Sequence, residues 1–236
     1  MAKNLIIAST STLHGDGYLE YLTDEIVHLF RHCDRIVFIP YARPGGMSHQ
    51  DYTEKVKLAF SKTNKKIFGL HEFDDPAKAV AEAQGIFTGG GNTFLLVSQL
   101  YRFKVMEVLT DVVKNGTPYL GSSAGSNITG LTMQTTNDMP IVYPPSFKTL
   151  GIVPFNLNPH YQDADAQSKH MGETREMRIQ EYHQFNTAPV LGLREGSWLD
   201  VSGNKIILKG DLTARLFRAN KAPEELASGS DLGWIN

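Results

Sequence analysis

Ile86-Phe87-Thr88-Gly89-Gly90-Gly91-Asn92 and Pro118-Tyr119-Leu120-Gly121-Ser122-Ser123-Ala124-Gly125 follow one pattern: a short apolar run that breaks at once into glycine. Between them, helical patterns cover 93–101 and 105–114, and Asn115-Gly116 supplies a stop signal. A strand that turns through glycine into helix and returns as another strand is a βαβ unit. The pattern therefore implies an α/β fold with a mostly parallel sheet and helices on both faces.

The same alternation extends toward the N-terminus. Residues 5–8 read as a strand; Leu22, Ile26 and Leu29 share a helical face; 36–39 run as a strand into Pro40. Tyr52, Val56 and Phe60 form a second stripe, 66–70 is strand-like, and Asp75-Pro76 opens a helix with proline at its first position. The C-terminal side is less regular. Residues 132–158 hold four prolines and little periodicity and read as short strands and loops. Residues 174–185 look helical, and 190–193, 197–201 and 206–208 read as strands, the last two joined across Ser202-Gly203-Asn204. Residues 219–236 are polar and read as a mobile tail or a docking strand. With no linker or repeat, one domain over 1–236 is expected.

Composition narrows the function classes. The 236 residues are 41% hydrophobic and 20% charged, which excludes disorder and coiled coil. Lys+Arg 23 against Asp+Glu 25 gives a net charge of −2, too balanced to hold nucleic acid or an anionic membrane by its field. One cysteine, Cys33, rules out an internal disulfide and cysteine-rich metal frameworks. The apolar run at 5–8 is too short for a signal-peptide core, and no stretch approaches 18 apolar residues. A cytoplasmic protein is expected.

The two glycine turns fall at carboxyl ends of strands, where open parallel sheets bind ligands. Gly89-Gly90-Gly91-Asn92 offers bare N–H groups at a helix start, yet matches neither the dinucleotide fingerprint nor the phosphate loop. Gly121-Ser122-Ser123-Ala124-Gly125 fits G-x-S-x-G, in which glycines relieve crowding at a sharp turn that lifts a serine hydroxyl above the sheet. Only Ser123 has glycine at both −2 and +2; Ser122 is a decoy. The Ala124 N–H then faces an oxyanion, and Gly91 is placed to supply the second donor that acyl transfer needs.

A serine hydroxyl needs a base. The histidines are His14, His28, His32, His49, His71, His160, His170 and His183. His160 stands out, because Asn158-Pro159-His160-Tyr161 fixes the chain extended before it and it follows the apolar stretch 152–157. For the orienting acid, Glu195 lies at the carboxyl end of the 190–193 strand, with Asp163, Asp165, Glu173 and Asp200 as rivals.

Five segments occur in order: Thr88-Gly89-Gly90-Gly91-Asn92-Thr93, Gly121-Ser122-Ser123-Ala124-Gly125, Asn158-Pro159-His160-Tyr161, Gly172-Glu173-Thr174-Arg175-Glu176 and Glu195-Gly196-Ser197-Trp198. Together they resemble the peptidase E family, α-aspartyl dipeptidases of the serine-peptidase group that also contains cyanophycinase. The resemblance runs from the first strand to about Phe217. It implies a three-layer α/β/α sandwich similar to class I glutamine amidotransferase domains, with serine in place of their elbow cysteine. It implies a Ser–His–Glu triad falling on Ser123, His160 and Glu195, and hydrolysis of dipeptides with an N-terminal aspartate, without cofactor or metal. Arg175 matches the expected reader of the aspartate carboxylate, and Asn92 is assigned with it to substrate binding. The group receiving the substrate ammonium stays open among Asp163, Asp165 and Glu173.

The expected partner is thus a small peptide, with no nucleic acid or membrane, and the enzyme is expected to be a monomer or homodimer. Two departures from the family pattern stand out: Ser122, where a bulky aromatic is usual beside the site, and the composition of 162–171. Three rival readings follow. A generic α/β-hydrolase order would use His183 with Asp163 or Asp165. A cyanophycinase-like or isoaspartyl enzyme would cut β-aspartyl bonds in the same fold. A non-catalytic module would use both glycine loops to bind a small anion.

Overall fold

The computed structural model describes residues 2–164 and 172–235. Eleven strands are present among them: β1 (Asn4–Ala8), β2 (Arg35–Ile39), β3 (Lys66–Gly69), β4 (Gly85–Thr88), β5 (Tyr119–Ser122), β6 (Asn156–Pro159), β7 (Val190–Leu193), β8 (Trp198–Ser202), β9 (Lys205–Lys209), β10 (Ala214–Phe217) and β11 (Glu224–Leu226). The α-helices are α1 (Thr23–Leu29), α2 (His49–Ala59), α3 (Pro76–Ala81), α4 (Thr93–Arg102), α5 (Val105–Lys114), α6 (Ala124–Asn127) and α7 (Arg175–Tyr182).

Seven strands form the main sheet in the order β3-β2-β4-β5-β1-β8-β9. The first five run parallel, and the β8–β9 hairpin adds two antiparallel strands beside β1. Because successive strand residues point to opposite faces, each central strand feeds two cores. Leu5, Ile7, Val37, Ile39, Ile86 and Tyr119 pack on one side with α4 and α5. Ile6, Ala8, Ile36, Phe38, Phe87 and Leu120 pack on the other with α1 and α2. Continuous apolar runs such as Ile36-Val37-Phe38-Ile39 are legible as strands for this reason: both faces are buried. The result is the expected α/β sandwich with a mostly parallel central sheet.

A second sheet, β11-β10-β7-β6, lies on the α4–α5 side. Leu157, Leu191, Leu193, Ala214 and Leu216 join the first core, while Val190 and Phe217 face Tyr161 and Ile179 of α7 on its outer side. Strand β6 pairs in parallel with β7. Its other edge is satisfied by side chains instead of a strand. Asn127 and Thr135 donate to the Leu157 carbonyl at 2.8 and 2.9 Å, and Asn137 donates to that of Pro159 at 2.8 Å. These bonds satisfy backbone acceptors that burial would otherwise leave costly.

Within the polar segment 219–235, Glu224–Leu226 docks as a strand on β10, and Leu232 and Ile235 are buried. Strand β10 is one the sequence reading lacked. Asp165 and His170 lie outside the described residues.

Candidate active site

The three triad candidates and one candidate oxyanion donor sit just beyond the carboxyl ends of strands: Gly91 after β4, Ser123 after β5, His160 after β6 and Glu195 after β7, while Arg175 opens α7. Ser123 adopts φ 55°, ψ −111° between β5 and α6. That conformation is strained for a residue with a side chain, and it is held from outside by the Ser123 N–H donating to the Ala8 carbonyl at 3.1 Å. The flanking glycines are steric necessities. A Cβ on Gly121 would press on the Gly125 backbone, and one on Gly125 would strike the Thr88 carbonyl.

His160 also takes a left-handed φ of 55°. Its N–H donates to Ser9 Oγ at 2.9 Å, and Ser9 Oγ–H donates to the Leu193 carbonyl at 2.7 Å. A single buried serine at the end of β1 thus joins the ends of β6 and β7. From this position His160 Nε2 lies 3.0 Å from Ser123 Oγ, and His160 Nδ1 lies 2.5 Å from Glu195 Oε1. A carboxylate on Nδ1 favours the tautomer with the proton there, which leaves Nε2 free to accept from the serine hydroxyl.

Ser123, Ala124, Asn127, Thr93, Thr136, Asn137, Asp138, His160 and Arg175 line one cavity of about 240 Å³, with Pro159 at its wall. Neither Gly91 nor Ala124 donates its N–H to an acceptor among the described residues. Gly91 has φ 144°, and a Cβ there would strike the Ala42 carbonyl, so that turn needs glycine. Arg175 has no ion pair among the described residues: its neighbours Glu173 and Glu176 bind Arg178 and Arg215. Burial and then the adjacent Arg178 charge lower its pKa, while Asp138 acts the other way. A desolvated guanidinium in this state favours an incoming carboxylate.

Sequence reasoning missed Asp138 and Ser9. Asp138 Oδ2 accepts from the Thr93 N–H at 2.7 Å, from Thr93 Oγ1 at 2.6 Å and from Thr136 Oγ1 at 3.0 Å. Its Oδ1 has no such partner among the described residues. No signal marks Asp138 in the irregular stretch where it lies, and Ser9 reads as one more turn residue in Ser9-Thr10-Ser11-Thr12.

Several expectations need correction. Asn92 caps α4: its Oδ1 accepts from the Leu95 N–H at 3.0 Å and its Nδ2 donates to the Met139 carbonyl at 2.9 Å. Its side chain is therefore already engaged, and it is not among the described residues lining the cavity. Asp163 binds Arg194 through both oxygens at 2.8 Å, so it is neither the orienting acid nor a free ammonium site. His183 follows α7, and its Nδ1 lies 3.2 Å from the Asn186 carbonyl, which removes the α/β-hydrolase arrangement of His183 with Asp163. Ser122 is fully buried and does not border the cavity. Among the described residues, no cluster of three or more His, Cys, Asp or Glu side chains is arranged to hold a metal ion.

A serine at a strained elbow, a histidine on its hydroxyl and a carboxylate on the histidine define the class of serine hydrolases. The family model "Peptidase family S51" matches residues 5–209, and the chain belongs to that family of serine peptidases. It is 50% identical over 232 residues to a peptidase E of Streptomyces coelicolor, covering 98% of this chain and 94% of that one. A probable alpha-aspartyl dipeptidase of Drosophila melanogaster is 46% identical over 237 residues, covering 99% and 98%. Among solved structures, a peptidase from an acI-B1 Actinobacterium superposes with TM-score 0.72 at 16% identity over 98% of this chain and 97% of that one. A putative peptidase E from Listeria monocytogenes superposes with TM-score 0.63 at 22% identity over 89% and 99%. These two likenesses bear on the fold alone.

Proposed function

We propose that the protein is a dipeptidase that releases N-terminal aspartate from Asp-X through an acyl-enzyme on Ser123. Ser123 attacks the peptide carbonyl as His160 Nε2 takes its proton. Glu195 orients the imidazole and stabilises its cationic form. The N–H groups of Ala124 and Gly91 face the developing oxyanion, each contributing about 3 kcal/mol to lowering the barrier. His160 then protonates the leaving amine, and a water molecule activated by the same base releases aspartate.

The observation that carries the aspartate preference is the pair of opposite charges, Arg175 and Asp138, in one small cavity with Ser123. An N-terminal aspartate presents a carboxylate and an ammonium close together. Arg175 receives the first by paired N–H donors, and Asp138 Oδ1 receives the second. A volume of about 240 Å³ is below the roughly 300–1,000 Å³ of sites for drug-sized ligands, which suits a small residue such as an N-terminal aspartate. A single free, buried cysteine, Cys33, is compatible with the cytoplasmic setting expected for the enzyme. Among the described residues no helix is long and apolar enough to cross a membrane. Residues 1–236 are taken as one catalytic unit, which a core shared by both sheets supports. A monomer or homodimer stands as the expected assembly.

The test is free-aspartate release from Asp-Leu beside β-Asp-Leu, Glu-Leu and Leu-Leu, in wild type and Arg175→Met. Asp-Leu alone should be cleaved, and the variant should lose that preference. Cleavage of β-Asp-Leu instead would move the enzyme to the isoaspartyl reading, and silence on all four would favour the anion-binding module.

A further inference from the structure

Strands β10 and β11 lie beyond residue 209, where the family match ends. They carry no residue of the cavity, yet their charges reach the two segments that flank it. Arg194 Nε and Nη2 donate to Asp163 at 2.8 Å each, and Arg194 Nη1 and Nη2 donate to Glu225 at 3.0 and 3.1 Å. Thr213 Oγ1 donates to the same carboxylate at 2.6 Å. Arg215 Nη1 donates to Glu225 at 2.9 Å, and its Nη2 donates to Glu176 of α7 at 2.8 Å.

Glu225 is thus shared by two arginines that lead in opposite directions. Arg194 is the residue before Glu195. Glu176 is the residue after Arg175. We propose that Glu225 is a positioning residue for both halves of the site, setting the Glu195 turn through Arg194 and helix α7 through Arg215. The proposal rests on the aspartyl-dipeptidase reading above.

Magnitudes favour position over stability as the use of this network. A partly exposed ion pair contributes about 0–1 kcal/mol, whereas a catalytic group displaced by ~1 Å costs about 100-fold in rate. Burial alone would raise the Glu225 pKa, but the bonds from Arg194, Thr213 and Arg215 outweigh it and bring it to about 2. The carboxylate is therefore charged wherever the enzyme works. The preceding residue, Glu224, pairs instead with Arg218 and touches neither arm, which makes it a control on the same strand.

The experiment measures Asp-Leu kinetics and the rate at which an uncharged serine-reactive phosphonate labels Ser123, with Tm recorded for each variant. Glu225→Gln should raise KM and slow labelling, each by about 10-fold. Arg215→Met cuts only the α7 arm, so KM should rise while labelling keeps the wild-type rate. Glu224→Gln should change neither. The proposal is overturned if Glu225→Gln matches Glu224→Gln in both readouts, or if Arg215→Met slows labelling as much as it raises KM. Should Glu225→Gln melt below the assay temperature, the Arg215→Met result decides alone. A wild-type enzyme that leaves Asp-Leu intact would refute the functional reading instead, and the labelling rates would still test the positioning.

Discussion

At the residue scale, two of the proposed triad side chains occupy backbone conformations that amino acids with side chains avoid. Ser123 and His160 both have φ of 55°, at a cost of about 1–3 kcal/mol each. The surroundings must impose them, and for His160 the imposing group is Ser9. Ser9→Ala leaves the His160 N–H and the Leu193 carbonyl without this hydroxyl in a buried setting. We expect a loss of about 1–3 kcal/mol in denaturant titration and a fall in kcat of about 100-fold. A variant with wild-type kcat would show that the hydroxyl does not position the base. His160 became a candidate because proline precedes it and an apolar stretch leads into it, and the family resemblance selected it from the eight histidines. Ser9 was not legible, since nothing local distinguishes a serine bonded across 151 residues from one in a turn.

At the element scale, the strands with both faces buried were the readable ones. Gly85–Thr88 and Tyr119–Ser122 are buried throughout, so their sequences are uninterrupted and end sharply at glycine or serine. Ala214-Arg215-Leu216-Phe217 mixes a half-buried arginine into its run, and Glu224-Glu225-Leu226 is short and charged at the sheet edge. The first is only four residues long with a charge inside its buried apolar run, and the second has a single apolar residue, so neither carries the strong signal that a strand reading needs. Asn92 was ambiguous for a related reason. A glycine loop ending in asparagine reads equally well as a ligand contact or as a helix cap, and here the cap is what the side chain makes. Asn92→Ala should lower stability by about 1 kcal/mol through loss of that cap, seen as a lower Tm, with KM for Asp-Leu unchanged. A rise in KM at unchanged Tm would return Asn92 to the substrate.

At the scale of the whole molecule, two sheets bring strand ends from distant parts of the chain around one cavity, and a charge network spans the smaller sheet. That network makes stability pH-dependent in a defined direction. Against the cost of burial, the bonds from Arg194, Thr213 and Arg215 pull the Glu225 carboxyl from its ordinary 4.5 down to about 2, and hydrogen bonds from Arg194 lower that of Asp163 as well. Groups with depressed folded pKa values stabilise above their unfolded pKa and lose that contribution as pH falls through the folded value. Between pH 4.5 and about 2, wild type should therefore lose more stability than Glu225→Gln, read as denaturation midpoint against pH. Parallel curves would contradict the ionic account of this sheet.

On the proposed reading Ser123 is the nucleophile, activated by His160 at 3.0 Å under the direction of Glu195. Asp-Leu turnover in Ser123→Ala, at a Tm equal to wild type, tests it most directly. The account predicts a loss of several orders of magnitude in kcat with the fold intact. Near-normal turnover in that variant would contradict it.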